Sequence, residues 1–81
     1  MDYFEVIIDR VIEEYNKAVA KFGPFNTPHE AYAVILEELD ELWDEIKKQS
    51  KPRTEKNKEA MRKEAAQVAA MAIRLIYDLE D

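Results

Sequence analysis

Apolar residues recur along this chain at steps of three and four, and the pattern breaks only twice. From about Tyr3 to Phe22, the residues Phe4, Ile8, Val11, Tyr15, Ala18 and Phe22 fall on one stripe, the mark of an amphipathic helix. Gly23-Pro24 ends it, with glycine where a helix commonly turns off. Thr27-Pro28-His29-Glu30 opens a second helix: threonine as N-cap, proline in the first turn, and Glu30 closing a capping box. It is expected to reach about Gln49, with Ile35, Leu39, Leu42 and Ile46 as its stripe and Tyr32, Leu36 and Trp43 widening it. Ser50-Lys51-Pro52-Arg53-Thr54 is the second break, because Pro52 cannot sit in a helix interior and biases Lys51 away from helical geometry. A third helix starts from Thr54 or Asn57 as N-cap and runs to about Leu79. Its stripe is Met61, Ala65, Val68, Ala72, Leu75, Ile76 and Leu79.

Between Ala65 and Ile73 the third helix carries one polar residue, Gln67, and is apolar nearly all round. A helix of that kind is buried on more than one side, and small alanines let a neighbour approach closely. The expected neighbour is another subunit. The fold class is therefore all-α: a single domain over 1–81 in which an antiparallel helical hairpin follows a first helix. Oligomerisation, as a homodimer or a dimer of dimers, would complete a four-helix-type bundle.

Composition supports that picture. A chain of 81 residues buries too little surface for a strong core of its own, and with no cysteine it has no disulfide or thiolate metal site to add. A hydrophobic content of 47% is high for so small a domain and is used naturally by self-association. The net charge of −6 argues against general nucleic-acid binding. The longest apolar runs, Ala31 to Leu36 and Val68 to Ile73, fall far short of a membrane span. Met1-Asp2-Tyr3-Phe4-Glu5 lacks the basic start of a signal peptide, so a soluble, cytoplasmic protein is expected.

Charge changes the picture most in two acidic clusters. Glu37-Glu38-Leu39-Asp40-Glu41 continues to Asp44 and Glu45 on the second helix, and Glu64-Ala65-Ala66-Gln67 lies on the third. At about 100° per residue, Glu38, Glu41 and Glu45 gather on one flank of the apolar stripe, while Glu37, Asp40 and Asp44 point to the solvated side. Glu64 and Gln67 share a flank of their own helix. If the helices pair antiparallel, three carboxylates and an amide converge. Carboxylates crowded at a buried edge repel one another unless a cation balances them. Oxygen ligands without His or Cys suit Mg²⁺ or Mn²⁺, and a triphosphate is the commonest partner of such an ion. A di-iron site would need Glu-x-x-His pairs, and one histidine, His29, at a helix start cannot build a zinc site.

Eight of the twelve basic residues lie between Lys47 and Lys63, on the second break and the helix ends beside it. They read either as a solvated surface or, for Lys56 among them, as phosphate contacts. Arg74 interrupts an apolar stretch one helical step from Met71, and reads as an interface ion-pair partner or a phosphate ligand. The aromatics Tyr3, Phe4, Tyr15, Phe22, Tyr32, Trp43 and Tyr77 are mostly core by their spacing. Phe25 stands alone in the first break, where it either caps the core or stacks on a base.

The ordered pair Glu37-Glu38-x-x-Glu41 and Glu64-x-x-Gln67, set in Phe25 to Leu42 and Glu64 to Arg74, resembles the MazG-like family of all-α nucleoside triphosphate pyrophosphohydrolases. The resemblance implies cleavage of a nucleoside or deoxynucleoside triphosphate between its α and β phosphates, giving a monophosphate and pyrophosphate. It implies Glu38, Glu41 and Glu64 as Mg²⁺ ligands, with Glu37 or Glu45 as an outer ligand or water-orienting base. The family's second motif ends in Asp; here Gln67 stands in its place, a neutral residue offering only a carbonyl oxygen, and is expected beside the metal set as a partner to it. The fourth helix of larger family members would come from another subunit. The alternative is a non-catalytic MazG-like module that oligomerises or binds nucleotide without cleaving it.

Overall fold

The computed structural model describes residues 2–48 and 54–80, so Gln49 and Ser50 to Arg53 lie outside the described residues. Three helices form: α1 over Tyr3–Phe22, α2 over Pro28–Lys47 and α3 over Glu55–Leu79. Each begins on a side-chain cap that satisfies an orphan amide of the first turn. Asp2 accepts from the Phe4 N–H at 2.9 Å, Thr27 from the Glu30 N–H at 3.1 Å, and Thr54 from the Asn57 N–H at 3.1 Å. Thr54 is therefore the third cap, and Asn57 lies inside the helix. The expected capping box is altered: the Glu30 carboxylate accepts from the Asn26 backbone and side-chain amides, at 3.2 and 3.0 Å, instead of from Thr27. Asn26 offers two donors to one carboxylate, which holds the loop against α2. Gly23 ends α1 with φ of +69°, a conformation glycine alone adopts freely, and its N–H donates to the Val19 carbonyl.

Helix α3 lies between the other two. It packs on both, while among the described residues the α1 and α2 backbones stand apart. The α2–α3 pair is antiparallel: Glu41 neighbours Glu64, Glu38 neighbours Gln67, and Phe25, just before α2, meets Asp78 at the end of α3. Along α1, Arg10 pairs with Glu59 and Tyr15 meets Tyr77, so α1 runs the same way as α3.

The buried centre is Val11 with Ala66, Ala70 and Met71, and Tyr15, Ala18, Phe25, Val34 and Ile35 pack around it. This corrects the expected face of α3. The stripe through Ala65, Val68, Ala72, Ile76 and Leu79 is half-buried or exposed, and the inward face is Ala66, Ala70, Met71 and Arg74. Ala66 and Ala70, the latter 0% exposed, add little bulk where α3 meets its neighbours, and Ile73, Ile76 and Leu79 are left outward. The apolar girth of Ala65 to Ile73 is thus covered partly from within the chain. Most aromatics also depart from expectation: Tyr3, Phe4, Phe22, Tyr32, Trp43 and Tyr77 are exposed, while Phe25 is packed on the core. No helix among the described residues is long and apolar enough to cross a membrane.

Candidate functional site

Antiparallel pairing brings the two acidic flanks together. One carboxylate oxygen from each of Glu38, Glu41 and Glu64 lies within 4.8 Å of the others. Glu38 and Glu64 are half-buried and Glu41 is exposed, so the cluster sits at the rim of the helix contact. Burial, then the charges of Glu41 and Glu64, a hydrogen bond shared with Glu41, and the Glu37 charge push the Glu38 carboxyl up to about 7. Glu64 is raised for the same first reason, burial, followed by Glu41. Unbalanced negative charge is therefore a property of this place.

Gln67 lies against the cluster. With its amide turned to suit its neighbours, the nitrogen donates to Glu38 at 3.1 Å and to Glu64 at 2.9 Å. In the opposite orientation it reaches the Glu14 carboxylate of α1 at 3.5 Å.

The donor set fits a hard divalent cation. Ligands on opposite sides of an ion stand about 4.2 Å apart for Mg²⁺ and about 5 Å for Ca²⁺, so three oxygens this close need only side-chain rotation to close on one. All the donors are oxygens, and the burial and then the mutual repulsion that raise Glu38 and Glu64 are what a cation relieves.

Glu38, alone of the three, also lines a trough of about 530 Å³ between α1 and α2, floored by Gln67, Met71 and Arg74 of α3. The trough exists because α1 and α2 stand apart on either side of α3. Its α2 wall carries Glu30, Val34, Glu37 and Glu38, and its α1 wall carries Glu14, Lys17, Lys21 and Phe22. Lys17 is held loosely, 3.6 and 3.7 Å from Glu13 and Glu14, and Lys21 lies over the Phe22 ring. The end of the trough is closed by Phe25 beneath Arg74, whose guanidinium stands 4.0 Å from the ring centre.

Each residue singled out from sequence has a definite place here. Glu38, Glu41 and Glu64 come together as the pairing required. Glu37 was placed on the solvated side by helical geometry, yet it lines the trough, because the trough lies outboard of the α2–α3 contact. Glu45 is half-buried, ion-paired to Lys48 at 3.0 Å, and near enough to help raise Glu64. Lys56 is exposed in the first turn of α3, away from the trough lining. Arg74 is 4% exposed and donates to the Gly23 carbonyl at 2.8 Å and to the Met71 sulfur at 3.1 Å, so it anchors the loop to α3. Phe25 both caps the core and lines the trough.

Sequence reasoning missed Glu14, Lys17 and Lys21. Their signal was present: steps of three and four put them along one flank of the α1 stripe, beside Val11, Ala18 and Phe22. Three of the four basic residues outside the Lys47–Lys63 cluster, Lys17, Lys21 and Arg74, line this trough. No known protein family matches the chain, and neither curated proteins nor solved structures give a match.

Proposed function

We propose that this chain is a MazG-like, Mg²⁺-dependent nucleoside triphosphate pyrophosphohydrolase, converting an NTP or dNTP to the monophosphate and pyrophosphate. The observation that carries this reading is the convergence of Glu38, Glu41 and Glu64, of which Glu38 also lines a trough with Lys17 and Lys21 on its far wall. A volume of about 530 Å³ lies within the range of small-molecule sites. Glu38, Glu41 and Glu64 hold the ion, with Mn²⁺ able to replace Mg²⁺. The ion, when bound, neutralises phosphate charge and lowers the pKa of a water. Lys17 and Lys21 draw the polyphosphate along the trough, and Phe25 offers the end of the trough to the base. Water adds to the α-phosphorus, the bond to the α–β bridging oxygen breaks, and that oxygen leaves with pyrophosphate. Glu37, exposed on the trough wall, takes the water's proton at a carboxylate oxygen, while Glu45 is tied to Lys48 and stands behind Glu64.

Self-association belongs to the same proposal. Ile73, Ile76 and Leu79 on α3, with Leu36, Leu39 and Trp43 on α2, leave apolar faces that a second copy or a dimer of dimers would cover, supplying the fourth helix. A nucleotide substrate goes with a cytoplasmic location. A second reading, a nucleotide-binding module without catalysis, draws support from Gln67, which replaces an acid with a hydrogen-bond donor to Glu38 and Glu64.

The test is pyrophosphate release from each NTP and dNTP with Mg²⁺. We expect turnover of at least one, and a loss of about a hundredfold or more in Glu64→Gln. Mg²⁺-dependent nucleotide binding with no pyrophosphate from any substrate would favour the second reading. Neither binding nor release would overturn both.

A further inference from the structure

The three helices lie side by side as a single layer. The molecule measures 46 × 31 × 18 Å, and its thin dimension is less than two helix diameters. Its radius of gyration is 13.9 Å, against about 12 Å for a compact chain of this length. Its exposed surface is 6375 Å², roughly 1300 Å² more than a compact chain of 9.5 kDa keeps. A domain ordinarily buries its apolar side between two layers, and these helices supply one. The surplus lies on the side away from the trough. At about 100° per residue, Ile8, Ile12 and Val19 stand roughly half a turn around α1 from Glu14, Lys17 and Lys21 of the trough wall. On α3, Ile73 and Ile76 stand roughly half a turn from the Gln67, Met71 and Arg74 floor. On α2, Leu36, Leu39 and Trp43 are more than about a third of a turn from Glu30 and Glu37. All of these apolar side chains are at least 38% exposed. The back of the layer is therefore apolar from α1 across α3 to α2, and Lys58 and Arg62 bound it toward the start of α3.

We infer that a second copy of this chain covers this back face, layer on layer about a two-fold axis, with α3 over α3 and both troughs facing outward. Area supports it: a stable interface takes about 800 Å² from each partner, and the surplus surface exceeds that. Shape decides the occupant. A single helix from another protein, about 10 Å wide, would cover one row of a face three helices across. A second three-helix layer covers all three rows at once. Chemistry agrees, because an apolar face is complementary to itself, as a two-fold contact requires, and offers nothing to a phosphate backbone or a lipid headgroup. This deepens the self-association proposed above by naming its face and its pose, and it adds α1 to the contact. The partner would contribute no residue to the trough, so each trough would be complete within one chain.

The experiment uses the full chain without nucleotide or metal, so its result stands whether or not the chain hydrolyses triphosphates. Light scattering at micromolar concentration should give the mass of two chains. The sequence has no cysteine, so one introduced thiol reports on one place. Ile76→Cys, on the back, should react with a maleimide about tenfold more slowly than Lys21→Cys, on the trough wall, and should catch up on dilution. Ile76 is 57% exposed in the single chain, so Ile76→Glu leaves the chain's own packing alone and should give the mass of one chain. Lys21→Glu should keep two. Should Ile76→Glu lose its helical circular dichroism, the two cysteine variants decide the matter, since they disturb the chain least. A parent with the mass of one chain and a fast Ile76→Cys would leave the face to a different partner, and overturns the second copy. A dimer in which Lys21→Cys is the protected thiol would put the contact on the trough side, and overturns it as well.

Discussion

At its loop end the trough is closed by groups that satisfy one another. Arg74 donates to the Gly23 carbonyl and lies on Phe25, the Phe25 N–H donates to the Asp78 carboxylate at 2.9 Å, and only the Arg74 Nε lacks a partner. At the other end Glu38, Glu41 and Glu64 crowd together with no cationic side chain bridging them among the described ion pairs, and two of the three are pushed toward their neutral forms. Both ends are partly buried and both contain charge. The difference is that the first assembles opposite partners while the second assembles like ones. Paired charge holds a structure in place; like charge lowers stability unless something else is bound.

Removing a partner at the loop end should give the largest effect. Arg74→Ala takes a charged donor from the Gly23 carbonyl and the cation from the face of Phe25, and should cost about 3 kcal/mol in urea unfolding. A loss under about 0.5 kcal/mol would show that the loop end is not the anchor that its hydrogen bonds imply.

The acidic end should respond with the opposite sign. Glu38→Gln with Glu64→Gln removes repulsion, and after allowance for solvent screening of half-exposed carboxylates should add about 1–2 kcal/mol at pH 8 without metal. The parent's melting temperature should rise with Mg²⁺, and the double variant's should not. The pH dependence follows from the same shift. Folded Glu38 keeps its proton up to about 7, whereas unfolded it loses it near 4.5, so the folded state binds more protons in that window. The contribution of Glu38 to stability is full below 4.5 and is lost as pH rises through 7. Glu55 and Glu59, held low by hydrogen bonds from Arg62 and Arg10, act in the other direction, so the curve to read is the difference between parent and Glu38→Gln. A flat difference between pH 4.5 and 7 would remove the electrostatic basis of the comparison.

The acidic end was legible in the sequence and the loop end was not. Helix periods and caps are local, so Tyr3 to Phe22, the Thr27 cap and the shared flank of Glu38 and Glu41 follow from spacing, and antiparallel pairing adds Glu64. Arg74 on Phe25 is a contact between a helix and a loop far apart in the chain, and no period reports it. The inward face of α3 was hidden for another reason: with nearly every position apolar from Ala65 to Ile73, periodicity has no contrast, and the closeness that alanine permits decides the matter. Glu14, Lys17 and Lys21 looked like an ordinary solvated flank because the trough that gives them a direction exists only once α3 separates α1 from α2.

The placement of α3 between its neighbours also bears on the order in which the chain can assemble. Glu41 and Glu64 are less than half as far apart in sequence as Arg10 and Glu59, which are separated by 49 residues. Each doubling of a closed loop adds only about 0.6 kcal/mol of entropy, so the nearer pair is favoured modestly, but it closes first. The acidic end is made wholly of that nearer pair, whereas Lys17 and Lys21 arrive with α1. The half of the site that repels itself is thus built before the wall that carries Lys17 and Lys21, and α1, with the smaller contact on α3, is the first element to let go; its amides should exchange with solvent ahead of those in α3.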